Sequence, residues 1–336
     1  MALEVLDGGL LTTVQDLGRR GYEGYGVPVA GAMDAFALQA ANALVGNPLG
    51  EAGLELTVLG PRLRAGEDCL IGLAGADLGA RLNGVAIVPW RSYVLPAGGV
   101  LEFSGPLSGC RAYLALAGGL ALPPVLGSRS TYLRGGFGGV EGRALRAGDV
   151  LPLRVPGAGR PLPLTRLARF RPPVYTGEPL ARVVLGPQAD RFTAAGLETF
   201  LSNAYEVSGA SDRMGCRLKG PRIEHTRGAD LVSDGIALGT VQVPGDGQPI
   251  VLLADRQTTG GYTKIATVVG ADIQHLAQCL PGASRLRFQA VDVAEAVRLR
   301  REQATLLVAL AGPPAFALQD TSPADGECPP VGSACP

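Results

Sequence analysis

Segment 51–61, EAGLELTVLGP, is echoed by segment 211–221, SDRMGCRLKGP. Leu54 aligns with Met214, Leu56 with Cys216, Val58 with Leu218, and Gly60-Pro61 with Gly220-Pro221. At the same offset Leu78-Gly79 falls on Leu238-Gly239, and with three residues inserted Ile87-Val88 falls on Ile250-Val251. A Gly-Pro match alone means little in a chain of 49 glycines and 26 prolines. Keeping apolar residues at alternate positions means more, because two strands that face equivalent cores require it. The repeat predicts two related β domains in tandem, at 1–160 and 174–315. Segment 155–173, rich in Pro, Arg and Leu and without either period, reads as the linker. The polar, Pro-rich residues 316–336 read as a disordered tail.

Short apolar runs bounded by Gly, Pro or Asp predict a mainly β fold of barrels or sandwiches. Strands are predicted at Leu3–Leu6, Leu54–Leu59, Cys69–Leu73, Val85–Val88, Val100–Phe103 and Arg111–Leu116, and in the second half at Arg182–Leu185, Leu231–Ser233, Thr240–Val243, Ile250–Ala254 and Lys264–Val269. Four helices are predicted. The first covers Ala35–Val45, capped by Asp34 and ended by Gly46 and Pro48; others lie within Asp190–Asn203 and over Ile273–Leu280. The last covers Asp292–Leu310, where Asp292 and Glu295 have capping-box spacing.

Several function classes are excluded. Net charge is zero, with no basic stripe interleaved with aromatics, which argues against a nucleic-acid partner. No apolar run approaches the roughly 18 residues of a membrane span, and the N-terminus lacks the pattern of a signal peptide, so a cytoplasmic protein is expected. The six cysteines form no CxxC pair and only two histidines accompany them, so zinc-site spacing is absent and no metal is expected. Of the 30 basic residues only Lys219 and Lys264 are lysines. Neither stands in a GxxxxGK[ST] loop or between methionines, so the chain carries neither a P-loop nor a biotin-attachment lysine.

Three polar, glycine-rich stretches remain as candidates for chemistry: Thr13–Asp34, Gly127–Tyr132, and a third running from Ser211 through Gln242–Pro249 to Asp255–Tyr262. Each combines glycines, which admit close approach to the backbone, with hydroxyls, amides and an Arg, a set able to present several donors to an anion.

The strings QDLGRRGYEGYGVPVAGAMD, GSRSTY, SDRMGCRLKGP and SDGIALGTVQVPGDGQPIVLLADRQTTGGYTKIA resemble the signature blocks of the biotin-dependent carboxyltransferase-like family. That family takes in 5-oxoprolinase subunits, Kip antagonists, allophanate hydrolase subunit 2 and the carboxyltransferase domain of urea carboxylase. The resemblance runs over residues 3–300 and implies two tandem cyclophilin-like β-barrel domains with a few helices. It also implies an ATP-hydrolysing enzyme assembled with subunits A and B, opening the lactam 5-oxoproline to glutamate, inactive without those partners, and with the ATP site on or shared with one of them. Family members often carry Tyr where Cys216 stands and Pro where Thr263 stands, which bears on specificity.

Phosphorylation of a lactam carbonyl needs donors for phosphate and oxyanion, and a carboxylate to orient water. Asp16, Asp212 and Asp255 are assigned that acid/base role. Arg19, Ser128, Arg129, Ser130 and Arg213 are assigned anion contacts, with backbone donors at Gly260 and Gly261. Gln242, Gln257, Thr258 and Tyr262 are assigned substrate placement. Two other readings stand beside this one: a carboxyltransferase served by biotin on another chain and acting on a urea-like amide, and a non-catalytic Kip-antagonist-type binding protein.

Overall fold

The computed structural model describes residues 2–154 and 170–311. Most of the predicted linker and all of the predicted tail lie outside the described residues. Among the described residues, eleven strands precede the linker and eight follow it. Two sheets make the N-terminal unit. One has the order β11(Val150–Pro152), β1(Ala2–Asp7), β4(Arg62–Ala65), β9(Val100–Phe103), β6(Ala80–Leu82), β7(Val85–Ala86). The other runs β2(Leu11–Gln15), β3(Gly53–Thr57), β10(Ser108–Leu116), β5(Cys69–Asp77), β8(Arg91–Leu95). Alternation explains their packing. Leu54 and Leu56 of β3, Ile71 and Leu73 of β5 and Leu63 of β4 turn into one core between the sheets.

The second unit closes. Its sheet runs β12(Leu180–Leu185), β19(Arg285–Ala290), β13(Ala204–Val207), β14(Gly215–Lys219), β17(Ile250–Leu252), β16(Thr240–Val243), β18(Thr259–Val268), and β18 pairs back onto β12. Seven strands thus form a barrel without an edge, the arrangement that removes the liability of unpaired backbone. An eighth strand, β15(Asp230–Gly235), lies outside it, paired only to the start of β18. The mainly β architecture with a few helices is as the sequence predicts. Of the aligned apolar pairs of the repeat, Leu56 of β3 and Cys216 of β14 are both buried, whereas Met214 and Val58 are only half-buried.

The four predicted helices are present as α1(Ala35–Leu44), α2(Ala194–Ser202), α3(Ile273–Ala277) and α4(Val293–Ala311). The Asp34 carboxylate accepts the N–H of Ala37, and that of Asp292 accepts the N–H of Glu295. Thr193 caps α2. Gly260, Gly261 and Tyr262, read as a loop, lie inside β18, which starts at Thr259 because β15 supplies a partner there.

The two units are bound together at several points. Met33, which precedes α1, inserts into the barrel core. Leu307 and Leu310 of α4 return from the end of the chain to pack with Phe36 and Leu38 of α1. Full burial of each such leucine stabilises by roughly 1.5–3 kcal/mol.

Candidate functional site

The strands β2, β3 and β10 bury one face in the N-terminal core. Their other face carries Thr13, Gln15, Glu55, Arg111 and Tyr113, all buried, with Thr13, Glu55 and Tyr113 in register. A polar sheet face without solvent needs partners. Gln15 finds its own within the first unit, at Thr13 and the Thr131 carbonyl, whereas Glu55 and Arg111 reach into the second, to Arg213 and the Ala277 carbonyl. Arg213, in the turn before β14, donates Nε to Asp255 Oδ2 and Nη2 to Asp255 Oδ1, both at 3.0 Å. Its Nη1 bonds the Glu55 carboxylate and its Nη2 the Gly31 carbonyl, the latter at 2.6 Å. Glu55 also accepts from the Met33 N–H (2.8 Å) and the Tyr113 hydroxyl (2.7 Å). Two carboxylates thus flank one guanidinium, and the opposing charges offset the cost of burying it.

Gln278, just after α3, forms a second staple. Its Oε1 accepts the N–H groups of Cys110 and Arg111, and its Nε2 donates to the Arg111 carbonyl and to Asp34 Oδ2, the last at 2.9 Å. Asp34 also accepts from Tyr175. Burial raises the Asp34 carboxyl to about 6, against the pull of these hydrogen bonds.

Asp16 organises a neighbouring cluster. Its Oδ1 accepts from Ser128 Oγ (2.6 Å), Ser130 Oγ (2.5 Å) and the Gly18 N–H (2.8 Å), and its Oδ2 from the Arg129 N–H (2.6 Å). The carboxylate therefore ties the first polar stretch to the second. Arg19 lies between the two clusters, buried against the face of Phe137 and bonded to the Ser130 carbonyl. Burial lowers its pKa from the usual arginine value while the charges of Asp16 and Asp255 oppose the shift. Its Nη1 is buried with no hydrogen-bond partner, a donor held ready for an acceptor. Ala30 and Gly31 are both left-handed, at φ of 55° and 84°, and fold the intervening loop back on itself. A Cβ at Gly31 would lie 2.8 Å from the Gly18 nitrogen, so this position admits only glycine.

The structure therefore brings together Asp16, Arg19, Ser128, Arg129, Ser130, Arg213 and Asp255. Arg129 holds the Leu122 carbonyl through Nε and leaves its guanidinium a quarter exposed. Asp212 does not join them. It is exposed and accepts the N–H groups of Met214 and Gly215 in its own turn, so the assigned acid/base role gives way to a turn-forming one. Gln257 is exposed at the surface, and the Thr258 carbonyl accepts the Ile236 N–H. Gln242, Gly260, Gly261 and Tyr262 gather at β15 and the start of β18.

Sequence reasoning missed Glu55, Tyr113, Arg111, Gln278 and Lys264. The signal for Glu55 and Arg111 was a charge at alternate positions of an otherwise apolar strand. For Lys264 it was one of only two lysines, set inside a strand. Of the two unusual positions, Cys216 is buried in the barrel core. Thr263 donates its hydroxyl to the Val243 carbonyl and lies 3.0 Å from His225 Nε2, beside a cleft of about 410 Å³ lined by Arg222, Glu224 and His225.

Two β units clamped face to face over buried arginine–carboxylate clusters match a known class. The chain belongs to the carboxyltransferase domain family, subdomains A and B, whose model matches residues 25–290. It is 40% identical to the 5-oxoprolinase C subunit of Escherichia coli (strain K12), over 90% of this chain and 95% of that protein. It is 36% identical to the protein of that name from Haemophilus influenzae, over 89% and 94%. The solved urea carboxylase of Kluyveromyces lactis superposes with a TM-score of 0.86 at 31% identity, over 92% of this chain and 29% of that one. The structure of TTHA0988 superposes at 0.75 with 37% identity, over 86% and 55%.

Proposed function

We propose that this chain is the C subunit of an ATP-dependent 5-oxoprolinase, opening 5-oxoproline to glutamate together with subunits A and B. The observation that carries this reading is near full-length similarity to bacterial proteins of that name. The site chemistry is compatible with it. A lactam is resonance-stabilised, and ATP would activate its carbonyl oxygen. The partnerless Nη1 of Arg19 and the guanidinium of Arg129, a quarter exposed and 4.0 Å from Glu51, supply charge for the phosphate and the oxyanion that follows. Asp255, fixed by two bonds to Arg213, is the carboxylate proposed to orient water. ATP is a co-substrate in this scheme, with its site on or shared with a partner subunit, and the chain is expected to be inactive by itself and to work in the cytoplasm.

The test is to mix the purified chain with subunits A and B and to measure glutamate from 5-oxoproline with and without ATP. ATP-dependent glutamate that requires all three chains supports the reading; none with all three present ends it. Asp255→Asn, checked for an unchanged fold by circular dichroism, should cut turnover strongly.

A second reading has one observation in its favour: the chain superposes on the urea carboxylase of Kluyveromyces lactis over 92% of its length at a TM-score of 0.86. Under it the chain transfers a carboxyl group between carboxybiotin on another chain and a urea-like amide. Carboxylation of urea with a biotin carboxylase partner, in place of glutamate formation, would select it.

A further inference from the structure

Lys264 has no role in the scheme above, and its surroundings are unusual. It lies on β18, with its side chain 7% exposed. Its Nζ is buried and has no hydrogen-bond partner. An ammonium carries three donors, and a buried one with none engaged is costly unless a counter-ion sits close. The charge it faces is Asp234, at 3.6 Å, too far for a good hydrogen bond. Asp234 is 72% exposed. One half of this pair is in the protein and the other is in water.

The segment that carries Asp234 is also unusual. β15 pairs Asp230 with Tyr262 and Asp234 with Gly260, so four steps along β15 span two along β18. The surplus residues bulge outward, and Val232 is 93% exposed. The strap is anchored past its end. Ile236 receives a bond from Arg256 Nε at its carbonyl and gives its N–H to the Thr258 carbonyl. Between its anchors the strap buries almost nothing, so moving the Asp234 side chain aside is inexpensive.

Beneath it lies a second polar group. Gln242 is the register partner of Lys264, so the two side chains leave the sheet on one face. Its amide is buried and engaged only by a long bond, 3.4 Å, to the Tyr262 carbonyl. A Cβ on Gly260 would lie 2.9 Å from Gln242 Nε2, so the absence of a side chain there lets the amide reach the strap. The cation thus faces the carboxylate of Asp234, and the amide lies beside Gly260, the register partner of Asp234.

We propose that Lys264 and Gln242 form a binding site for a small carboxylate, and that Asp234 fills it as an internal stand-in until the ligand arrives. One lysine balances one negative charge, and the amide adds a neutral donor. That combination suits a monoanionic carboxylate better than a dianionic phosphate. That the carboxylate is the one on 5-oxoproline rests on the function proposed above; the anion site itself does not.

The test is calorimetric titration of the purified chain at low ionic strength with 5-oxoproline, its neutral carboxamide analogue and inorganic phosphate. The carboxamide should bind about tenfold or more weakly than the carboxylate, the cost of losing one charge-assisted contact. Phosphate should also bind more weakly. Asp234→Asn, which removes the competitor, should tighten 5-oxoproline binding several-fold, and Lys264→Met should weaken it about tenfold or more. Equal affinity for acid and carboxamide, unchanged or weaker binding in Asp234→Asn, tighter binding of phosphate, or no binding to either wild type or Asp234→Asn at tens of millimolar each overturns the proposal. Should Lys264→Met fail to fold, the Asp234→Asn and carboxamide results decide alone. A chain that binds as described but yields no glutamate with its partners leaves the anion site standing and removes the assigned reaction. A complex that turns over while both variants bind like wild type does the reverse.

Discussion

Arg213, rooted in the barrel, closes on Glu55 of the N-terminal sheet with both side chains nearly sealed from solvent, at 6% and 1% exposure. The pair crosses from one β unit to the other, and Asp255 holds the same guanidinium from the barrel side. Removing one member of such a group leaves a charge buried without its partner, which typically costs 3–5 kcal/mol. Arg213→Met is therefore expected to lower the urea midpoint far more than the double variant Arg213→Met/Glu55→Gln lowers it beyond the single one. Arg213→Lys should also destabilise, since an ammonium cannot span Asp255, Glu55 and the Gly31 carbonyl at once. Urea unfolding of wild type, Arg213→Met, Glu55→Gln, the double variant and Arg213→Lys checks this, and independent, additive effects of the two single changes would contradict it.

Asp34 gives a pH signature. Burial raises its carboxyl from 3.8 to about 6. The unfolded chain therefore releases this proton at lower pH than the folded one. The stabilising share of the protonated form is complete below about pH 4 and is lost as pH rises through about 6. The difference is on the order of 3 kcal/mol. Asp34→Asn keeps a good N-cap for α1 and should flatten the decline in stability between pH 4 and 6. Parallel pH slopes for variant and wild type in urea melts would count against the assignment.

The Asp16 carboxylate accepts four hydrogen bonds from Gly18, Ser128, Arg129 and Ser130. In Asp16→Asn one oxygen becomes an NH2 that confronts an N–H or O–H. The expected loss is about 1–3 kcal/mol, with Ser130→Ala costing nearer 1 kcal/mol. Amide hydrogen exchange should speed up at Arg129 and Ser130 in Asp16→Asn, and unaltered exchange there would remove Asp16 as the organiser of that loop.

Leu307 tests the seam between the ends of the chain. It is 5% exposed in a cluster with Phe36 and Leu38. Leu307→Ala should cost about 2–5 kcal/mol, whereas exposed Val308 on the same helix should tolerate alanine with a change under about 1 kcal/mol. Similar melting shifts for the two would show that α4 is not part of this core.

Much of the architecture was legible because it rests on local pattern. The periods of α1 and α4, their Asp caps, and the alternation of strands such as Thr240–Val243 lie in short windows of sequence. What escaped notice depends on residues distant in sequence. Thr13 and Gln15 fall in a polar stretch of sequence, whereas they are buried on strand β2, against which Thr131 packs from more than a hundred residues downstream. Gly260 and Gly261 looked like a turn and became a strand because β15 arrives from thirty residues upstream to pair with them. The site split in the same way. Charged residues in glycine-rich stretches drew attention, and Asp16, Arg19, Arg213 and Asp255 do converge. Asp212 drew it for the same reason and serves its own turn. Glu55 and Lys264, hidden inside apolar strands, gave only a faint signal.

The return of α4 onto α1 has a bearing on how the molecule is made. Phe36 and Leu38 emerge from the ribosome early, but the leucines that cover them are at positions 307 and 310. That flank of the first unit stays partly uncovered until the chain has been made as far as α4. The last packing of the first half therefore follows the making of the second, and a fragment ending at the barrel would leave a sticky flank on the half that was made first.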